Sequence, residues 1–321
     1  MILFFQNFLI IKVKINLFGN NKFVVNKYLI FRTDRIGDFL ITAILIKSIK
    51  RNDPNSYVQI ISSEKNYTYI KSFKMVDEVI LLNNGLINKL KLIKKLKKSF
   101  YKTVIVHDSK KRSKMISFFL NKDLLIIPNI NQSLSYLDNI KKILKILNFT
   151  FDDLDLNTLN ERDKIIKDDI KFINNYLVFH FDEKWIYDQY ISKYINIEPT
   201  YNEFFSLLNS IISKTNKKLI VTTGLYAPKI LDSIKDKNLN SKIFFYDNIS
   251  FFNIENIIKK SNCLITCHGA ISHVAAAMNI KQIDIIDKSY DYSKWTKHFR
   301  NYTPLKRKPF NELSIDILKL L

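Results

Sequence analysis

Seven consecutive residues, Arg32-Thr33-Asp34-Arg35-Ile36-Gly37-Asp38, bring two guanidinium groups and two carboxylates into one short turn. A carboxylate in such a turn can take a proton from a substrate hydroxyl within hydrogen-bond reach. It can equally cap a following helix, and for Asp38 both readings stand. Arg32 and Arg35 can bind an anion or pair with Asp34. Gly37 would admit a tight turn where a Cβ would clash. A second stretch, Thr266-Cys267-His268-Gly269-Ala270-Ile271-Ser272-His273, is built from small and polar residues. At the start of a helix its backbone N–H groups would suit a phosphate. His268 and His273 could add hydrogen bonds, although His273 also fits a buried helix position. Three more groups have chemical capacity: His107 and Asp108 with Ser109, Lys111 and Arg112; His180 and Asp182 with Lys184 and Trp185; and Thr223-Gly224. Lys184 beside Trp185 could set an ammonium on a phosphate next to an aromatic wall. Four of the five histidines fall in these groups, a clustering that points to a site. Cys267, His268 and His273 do not have the spacing of a standard zinc site, so no metal is expected.

Separate groups of this kind act together when the fold brings them to one edge. Short apolar runs at 28–31, 57–61, 78–82, 103–106 and 124–127 predict strands. Helical patterns fall between them, at 38–50, 66–73, 88–98 and 110–120. After 172 the alternation restarts, with strands at 176–181, 218–222, 242–245, 263–266 and 282–286. Helices are expected at 201–213, 227–235, 254–260, 272–278 and 311–321. Such alternation predicts doubly wound parallel sheets covered by helices on both faces. In these sheets ligands sit beyond the carboxyl ends of the strands, where each group above falls. The expected division is an apolar extension or strand at 1–26, a first domain at 27–150, a polar connector at 151–172 and a second domain at 173–321.

Composition narrows the function. The 321 residues include five glycines, no two of them close together. That removes the glycine-rich loops of dinucleotide oxidoreductases and P-loop NTPases. The net charge is +21, but only seven of the 51 basic residues are arginine. Arginine is the usual choice for bidentate phosphate and base recognition, so the excess of lysine favours an acidic substrate or an anionic membrane over a dedicated nucleic-acid partner. Two cysteines suit a reducing cytoplasm without a disulfide framework. The apolar N-terminus is interrupted by Lys12 and Lys14 before it reaches spanning length, so no transmembrane helix is expected. The lysine-rich helix at 88–98 reads as a solvated face or as a membrane-facing stripe.

The pattern Arg32-x-Asp34-x-Ile36-Gly37-Asp38 after a strand resembles the opening motif of glycosyltransferase family 9, the bacterial heptosyltransferases of lipopolysaccharide assembly. Ser250-Phe251-Phe252-x-Ile254-Glu255-x-Ile257-Ile258, followed by His268-Gly269-Ala270-Ile271-Ser272-His273-Val274-Ala275-Ala276-Ala277, is similar to that family's nucleotide-sugar segment. The family usually reads Asp-Thr-Gly where this chain has His268-Gly269-Ala270. The likeness spans roughly 27–290. It implies an α/β fold of the GT-B type, two Rossmann-like doubly wound domains facing across a cleft. It also implies an inverting, metal-independent transfer.

By the same resemblance Asp38 matches the catalytic base, Lys184 the phosphate-binding lysine and His273 the histidine of the donor segment. His268, Gly269, Ala270, Ile271, Thr223 and Gly224 complete the expected donor side. Arg32, Arg35, His107, Asp108, Lys111 and Arg112 form the expected acceptor side. No cofactor is implied. The co-substrate is a nucleotide diphosphate-sugar such as ADP-heptose, and the acceptor an anionic glycan or lipid-linked glycan. The expected location is cytoplasmic, peripheral on the inner membrane face. Two alternatives stay open: another GT-B-like enzyme of nucleotide sugars (an epimerase or hydrolase), and a non-catalytic anion-binding relative.

Overall fold

The computed structural model describes residues 2–5, 8–12, 25–128, 134–161, 174–191, 193–237 and 240–321. The chain divides into two compact units. One comprises 1–164 with 293–298, the other 165–292 with 299–321.

The first unit holds a seven-stranded sheet. Its strands are β1 (Ile2–Phe5), β2 (Phe8–Lys12), β3 (Lys27–Phe31), β4 (Tyr57–Ser62), β5 (Glu78–Leu81), β6 (Phe100–Val106) and β7 (Asn121–Pro128), in the order β1-β2-β7-β6-β3-β4-β5. From β7 to β5 every pairing is parallel. The N-terminal residues add an antiparallel edge: β1 pairs with β2, and β2 with β7. The expected extension is thus partly strand, while residues 13–24 lie outside the described set. The central strand β3 is buried from Tyr28 to Phe31, as a strand covered on both faces requires. The helix Ile36–Asn52 follows it, and its buried run from Phe39 to Ile46 leaves little outward surface.

The expected connector, 151–172, is described in part. Its described part, 151–161, belongs to the first unit. Asp155 is fully buried there, accepting from Ser48 Oγ at 2.6 Å and Arg51 Nη2 at 2.9 Å. A buried carboxylate with such partners docks the segment onto the helix Ile36–Asn52. Residues 162–172 lie outside the described set. Ser293–His298 also belongs to the first unit. Lys297 Nζ lies 2.8 Å from Asp138 Oδ2, and the Trp295 and Tyr136 rings are 6.2 Å apart.

The second unit has six parallel strands: β8 (Tyr176–His180), β9 (Lys218–Thr222), β10 (Ile243–Tyr246), β11 (Cys263–Cys267), β12 (Gln282–Ile286) and β13 (Tyr302–Lys306). Their order is β10-β9-β8-β11-β12-β13, in which the order of connection along the sheet reverses between β8 and β11. Ligands bind outside the strand ends at such a switch point. β13 was not expected, because Pro304 interrupts its pattern. Proline is tolerated there because β13 is an edge strand, where no outer partner needs its missing N–H.

With so few glycines, asparagine takes most of the left-handed positions among the described residues. Asn148, Asn175, Asn216, Asn248 and Asn279 all have φ between 50° and 58°. Asparagine tolerates this region better than other side chains that carry a Cβ. Asn216, for example, ends the helix Tyr201–Thr215 as its left-handed C-cap.

Candidate active site

In the first unit, the residues after β3, β4, β5 and β6 enclose a cleft of about 370 Å³. Arg35, Asp38, Lys65, Asn84, Lys110 and Arg112 are among the residues lining it. Asp38 sits in the first turn of the helix Ile36–Asn52 and accepts the Arg35 backbone N–H at 3.3 Å. The capping and cleft-lining roles therefore coincide in one side chain. Gly37 is the second residue of that helix, and its φ is not positive; the expected tight turn is not what this glycine provides.

Several residues expected to meet an acceptor directly are instead internal. Arg32 is 1% exposed. Its guanidinium donates to Thr42 Oγ1 at 2.6 Å and Asp34 Oδ2 at 2.9 Å, and lies 3.0 Å from His107 Nδ1. It orients Asp34, which also pairs with Lys110. His107 is buried and Asp108 nearly so, and neither lines the cleft. Asp108 accepts from Thr33 Oγ1 at 2.6 Å, Ser113 Oγ at 2.7 Å and the Lys110 N–H at 3.1 Å. It fixes the turn at Lys110 and the start of the helix Lys111–Phe118, which carries Arg112. Lys111 is exposed and also lies outside the cleft lining. Lys65, Asn84 and Lys110 were missed. Each follows the carboxyl end of a strand, so the rule that found Asp38 would have found them.

His107 makes a testable internal contribution. Burial, with the Arg32 charge beside it, holds its pKa well below the ordinary imidazole range. In the unfolded chain it titrates at about 6.5. Its contribution to stability is thus complete above that pH and declines below it, where the unfolded chain binds the extra proton. Urea unfolding between pH 7 and 5 should show the loss, with a limiting slope of about 1.4 kcal/mol per pH unit from this group. His107→Asn, which cannot titrate, should show a shallower slope. An unchanged slope would remove His107 from that role.

In the second unit the groups converge at the switch point. Asp182 follows β8 and is buried, with Lys184 Nζ paired to it and His180 Nε2 at 3.5 Å. Burial alone would raise the Asp182 carboxyl, but the Lys184 ammonium and the His180 ring outweigh it and hold it well below the usual carboxylate range. Burial works against the Lys184 charge too, and Asp182 more than offsets this, raising the Lys184 pKa.

The Lys184 ammonium lies against Gly269. A Cβ at Gly269 would stand 3.1 Å from Lys184 Cε and 3.2 Å from Nζ. Only a glycine leaves the ammonium this close to the start of the helix Ala270–Ala277. Beside it, His268 Nδ1 lies 2.6 Å from Asp284 Oδ2, and Ser272 Oγ donates to Asp284 Oδ1 at 2.7 Å. Ser272 Oγ also accepts the Gly269 N–H at 3.2 Å. Asp284 is fully buried. Its contact with Nδ1 leaves His268 Nε2 as the ring atom available to a ligand.

Other donor-side expectations are divided. Gly269 and Ala270 are partly exposed, whereas Ile271 and His273 are buried. His273 meets the Phe299 ring edge-on at 5.1 Å. Thr223 is buried: its Oγ1 accepts the Asn248 N–H at 2.9 Å and donates to the Gly224 carbonyl at 3.1 Å. It shapes a turn. Gly224 lies close to the Asp182–Glu183 corner, with Glu183 Oε2 3.4 Å from where its Cβ would be. Trp185 is not an aromatic wall of the site. It is 1% exposed and packs with Phe179 at 5.0 Å and Phe181 at 5.6 Å. Tyr190 takes that position, with Lys184 Nζ 5.6 Å from its ring centre. Among the described residues no group of three His, Cys, Asp or Glu side chains could hold a metal ion. Burial pushes the Cys267 thiol up to about 12 and the Cys263 thiol to about 11, so both stay protonated near neutral pH.

No protein-family model matches this sequence, and no curated protein matches it. Solved structures do match its fold. The E. coli heptosyltransferase WaaC with ADP superposes with a TM-score of 0.66 at 12% identity, covering 92% of this chain and 100% of that one. The glycosyl transferase family 9 protein from Veillonella parvula gives 0.65 at 10% identity, covering 92% and 88%. The fold is GT-B. A putative UDP-N-acetylglucosamine 2-epimerase from Listeria monocytogenes is also similar, with a TM-score of 0.56 at 9% identity, covering 92% and 88%. In the GT-B frame the Lys184–Gly269–His268 corner falls on the second unit, at the reversal between β8 and β11. Asp38 falls on the first.

Proposed function

We propose that this chain is a glycosyltransferase that moves a sugar, a heptose or a relative, from a nucleoside diphosphate-sugar to a hydroxyl of an anionic glycan. The observation that carries the proposal is the Lys184 ammonium seated against Gly269 at a helix start, with His268 beside it. Fixed cations and N–H groups aimed at developing negative charge are commonly the largest catalytic contribution. In this reading Asp38 takes the acceptor hydroxyl proton, the oxygen attacks the anomeric carbon with inversion, and the C–O bond to the diphosphate breaks. The departing diphosphate is met by Lys184, by the N–H groups of Ala270 and Ile271 and, when the ring is protonated on both nitrogens, by His268 Nε2–H. Arg35, Lys65, Lys110 and Arg112 would hold the anionic acceptor. The GT-B likeness to a heptosyltransferase seen with ADP supports the donor class; the transfer itself rests on these residues.

The test is thermal-shift binding against ADP-, GDP-, UDP- and CMP-sugars, because a ligand bound to the folded state raises its stability. A shift selective for one diphosphate is expected, and no shift across the panel would overturn the donor site. The epimerase fold likeness favours a second reading, of an enzyme that converts its nucleotide sugar without an acceptor. Consumption of donor alone would select it.

Asp284→Asn offers a more local check. His268 would meet an amide NH2 in place of its charged acceptor, while the amide oxygen still accepts from Ser272 Oγ. Disturbing a buried polar network of this kind costs about 1–3 kcal/mol, readable by urea unfolding. The donor-induced thermal shift should shrink as well. Undiminished stability and an undiminished shift would show that the Asp284 contact does not hold His268 in place.

A further inference from the structure

The helix Leu86–Leu96 carries more apolar surface on its outer side than folding requires. Its Leu92 and Leu96 are buried in a cluster with Leu82, Ile116 and Leu120. Yet Leu86, Ile87 and Leu90 are 67%, 69% and 56% exposed. Residues 86, 87, 90, 91 and 94 share one arc by helical spacing, and Lys91 and Lys94 on that arc are exposed. The helix contains no acidic residue. Its one ion pair among the described residues joins Lys95 to Glu78 at 3.4 Å. Leu82 and Asn84, just before the helix, line the cleft that holds Asp38. Gly85, at φ 94°, turns the chain from that lining into the helix.

We infer that the first two turns of this helix dock on an anionic phospholipid surface. The chemistry matches that occupant. Three aliphatic side chains can enter the boundary between headgroups and acyl chains, while the lysine stems extend their ammonium groups to lipid phosphates. A second copy of the chain is a poorer match, since the same uniformly basic face would meet itself. A nucleic acid would leave the aliphatic residues in water. Among the described residues no helix is long and apolar enough to cross a membrane, so the contact is with the surface. Placed beside the cleft mouth, it would hold that opening close to lipid-borne anionic groups. The inference is independent of the transfer reaction, because it is read without any substrate.

The test is sedimentation of the full chain with vesicles of equal parts phosphatidylglycerol and phosphatidylcholine, and with phosphatidylcholine alone. Binding to the mixed vesicles is expected, weakened by salt, and at least about tenfold weaker on phosphatidylcholine. Leu86→Gln/Ile87→Gln/Leu90→Gln should weaken binding at least about tenfold. Lys91→Glu/Lys94→Glu should abolish the preference for anionic vesicles. Ile315→Gln, at a 53% exposed residue of the second unit, should change nothing. The inference fails if the native chain binds neither vesicle, or if the triple variant binds as the native chain does. It also fails if light scattering shows a dimer that the triple variant dissolves, since the face would then be a self-interface. Circular dichroism of the triple variant, expected to match the native spectrum, separates lost docking from lost folding.

Discussion

Asp38→Asn should lower turnover by about 10²–10⁴-fold, the usual contribution of a positioned base, and leave the protein folded with its donor site intact. The separation follows from the geometry. Asp38 accepts the Arg35 N–H in the first turn of its helix and lines the cleft. Asparagine keeps an oxygen for that N–H, and it is as good as aspartate at a helix N-terminus. What it lacks is basicity. Unfolding free energy should therefore move by less than about 1 kcal/mol, and the donor-induced thermal shift should persist. Steady-state transfer with the donor found by the binding panel checks the first part, and urea unfolding the second. Substantial residual turnover would show that Asp38 is a cap and no base.

The second large effect belongs to Lys184. Lys184→Ala should abolish the donor-induced shift and also destabilise the second unit, because Asp182 would remain buried without its cation. Breaking such a pair on one side costs about 3–5 kcal/mol. The two consequences separate in the double variant Asp182→Asn/Lys184→Met. Asp182 Oδ1 accepts the Lys184 backbone N–H at 3.2 Å in the native protein. An asparagine side chain keeps an oxygen for that N–H, and no buried charge is left alone. Stability should largely return while donor binding stays lost. If donor binding returned with stability, the lysine would serve only to neutralise Asp182.

The pair also sets a pH profile. Asp182 is held below its unfolded value, so its contribution is present above about pH 4 and lost as pH falls further. Lys184 is held above its unfolded value, so its contribution is present in neutral solution and lost only under strong alkali. Stability should therefore be insensitive to this pair around neutrality and fall in acid. The double variant should lack that part of the acid limb.

Much of this protein was legible in order along the chain. The apolar runs at 28–31 and 176–181 mark the two central strands, because a strand covered on both faces has no polar side to show. The loop 32–38 and the stretch 266–273 followed from the rule that parallel sheets place their ligands at strand carboxyl ends. Asparagine at left-handed positions was not among the expectations, although it is the residue with a Cβ that enters that region most readily. Local patterning determines these features because strand burial, helix starts and turn chemistry each depend on a few neighbouring residues.

Other features depend on residues far apart in sequence. That Arg32 is an internal strut follows from His107, 75 residues on, and from Thr42. That His268 is held by Asp284 follows from β11 and β12 lying side by side. Trp185 next to Lys184 looked like part of a binding wall, but its indole belongs to the core with Phe179 and Phe204, and Tyr190 covers the lysine instead. The buried Asp155 looked like connector polarity until Ser48 and Arg51 were found beside it. In each case the residue type announced a capacity to donate, accept or stack. Tertiary structure decided whether that capacity was spent inside the protein or left for a ligand, because a buried polar group must find its partner among whatever the fold places within about 3 Å of it.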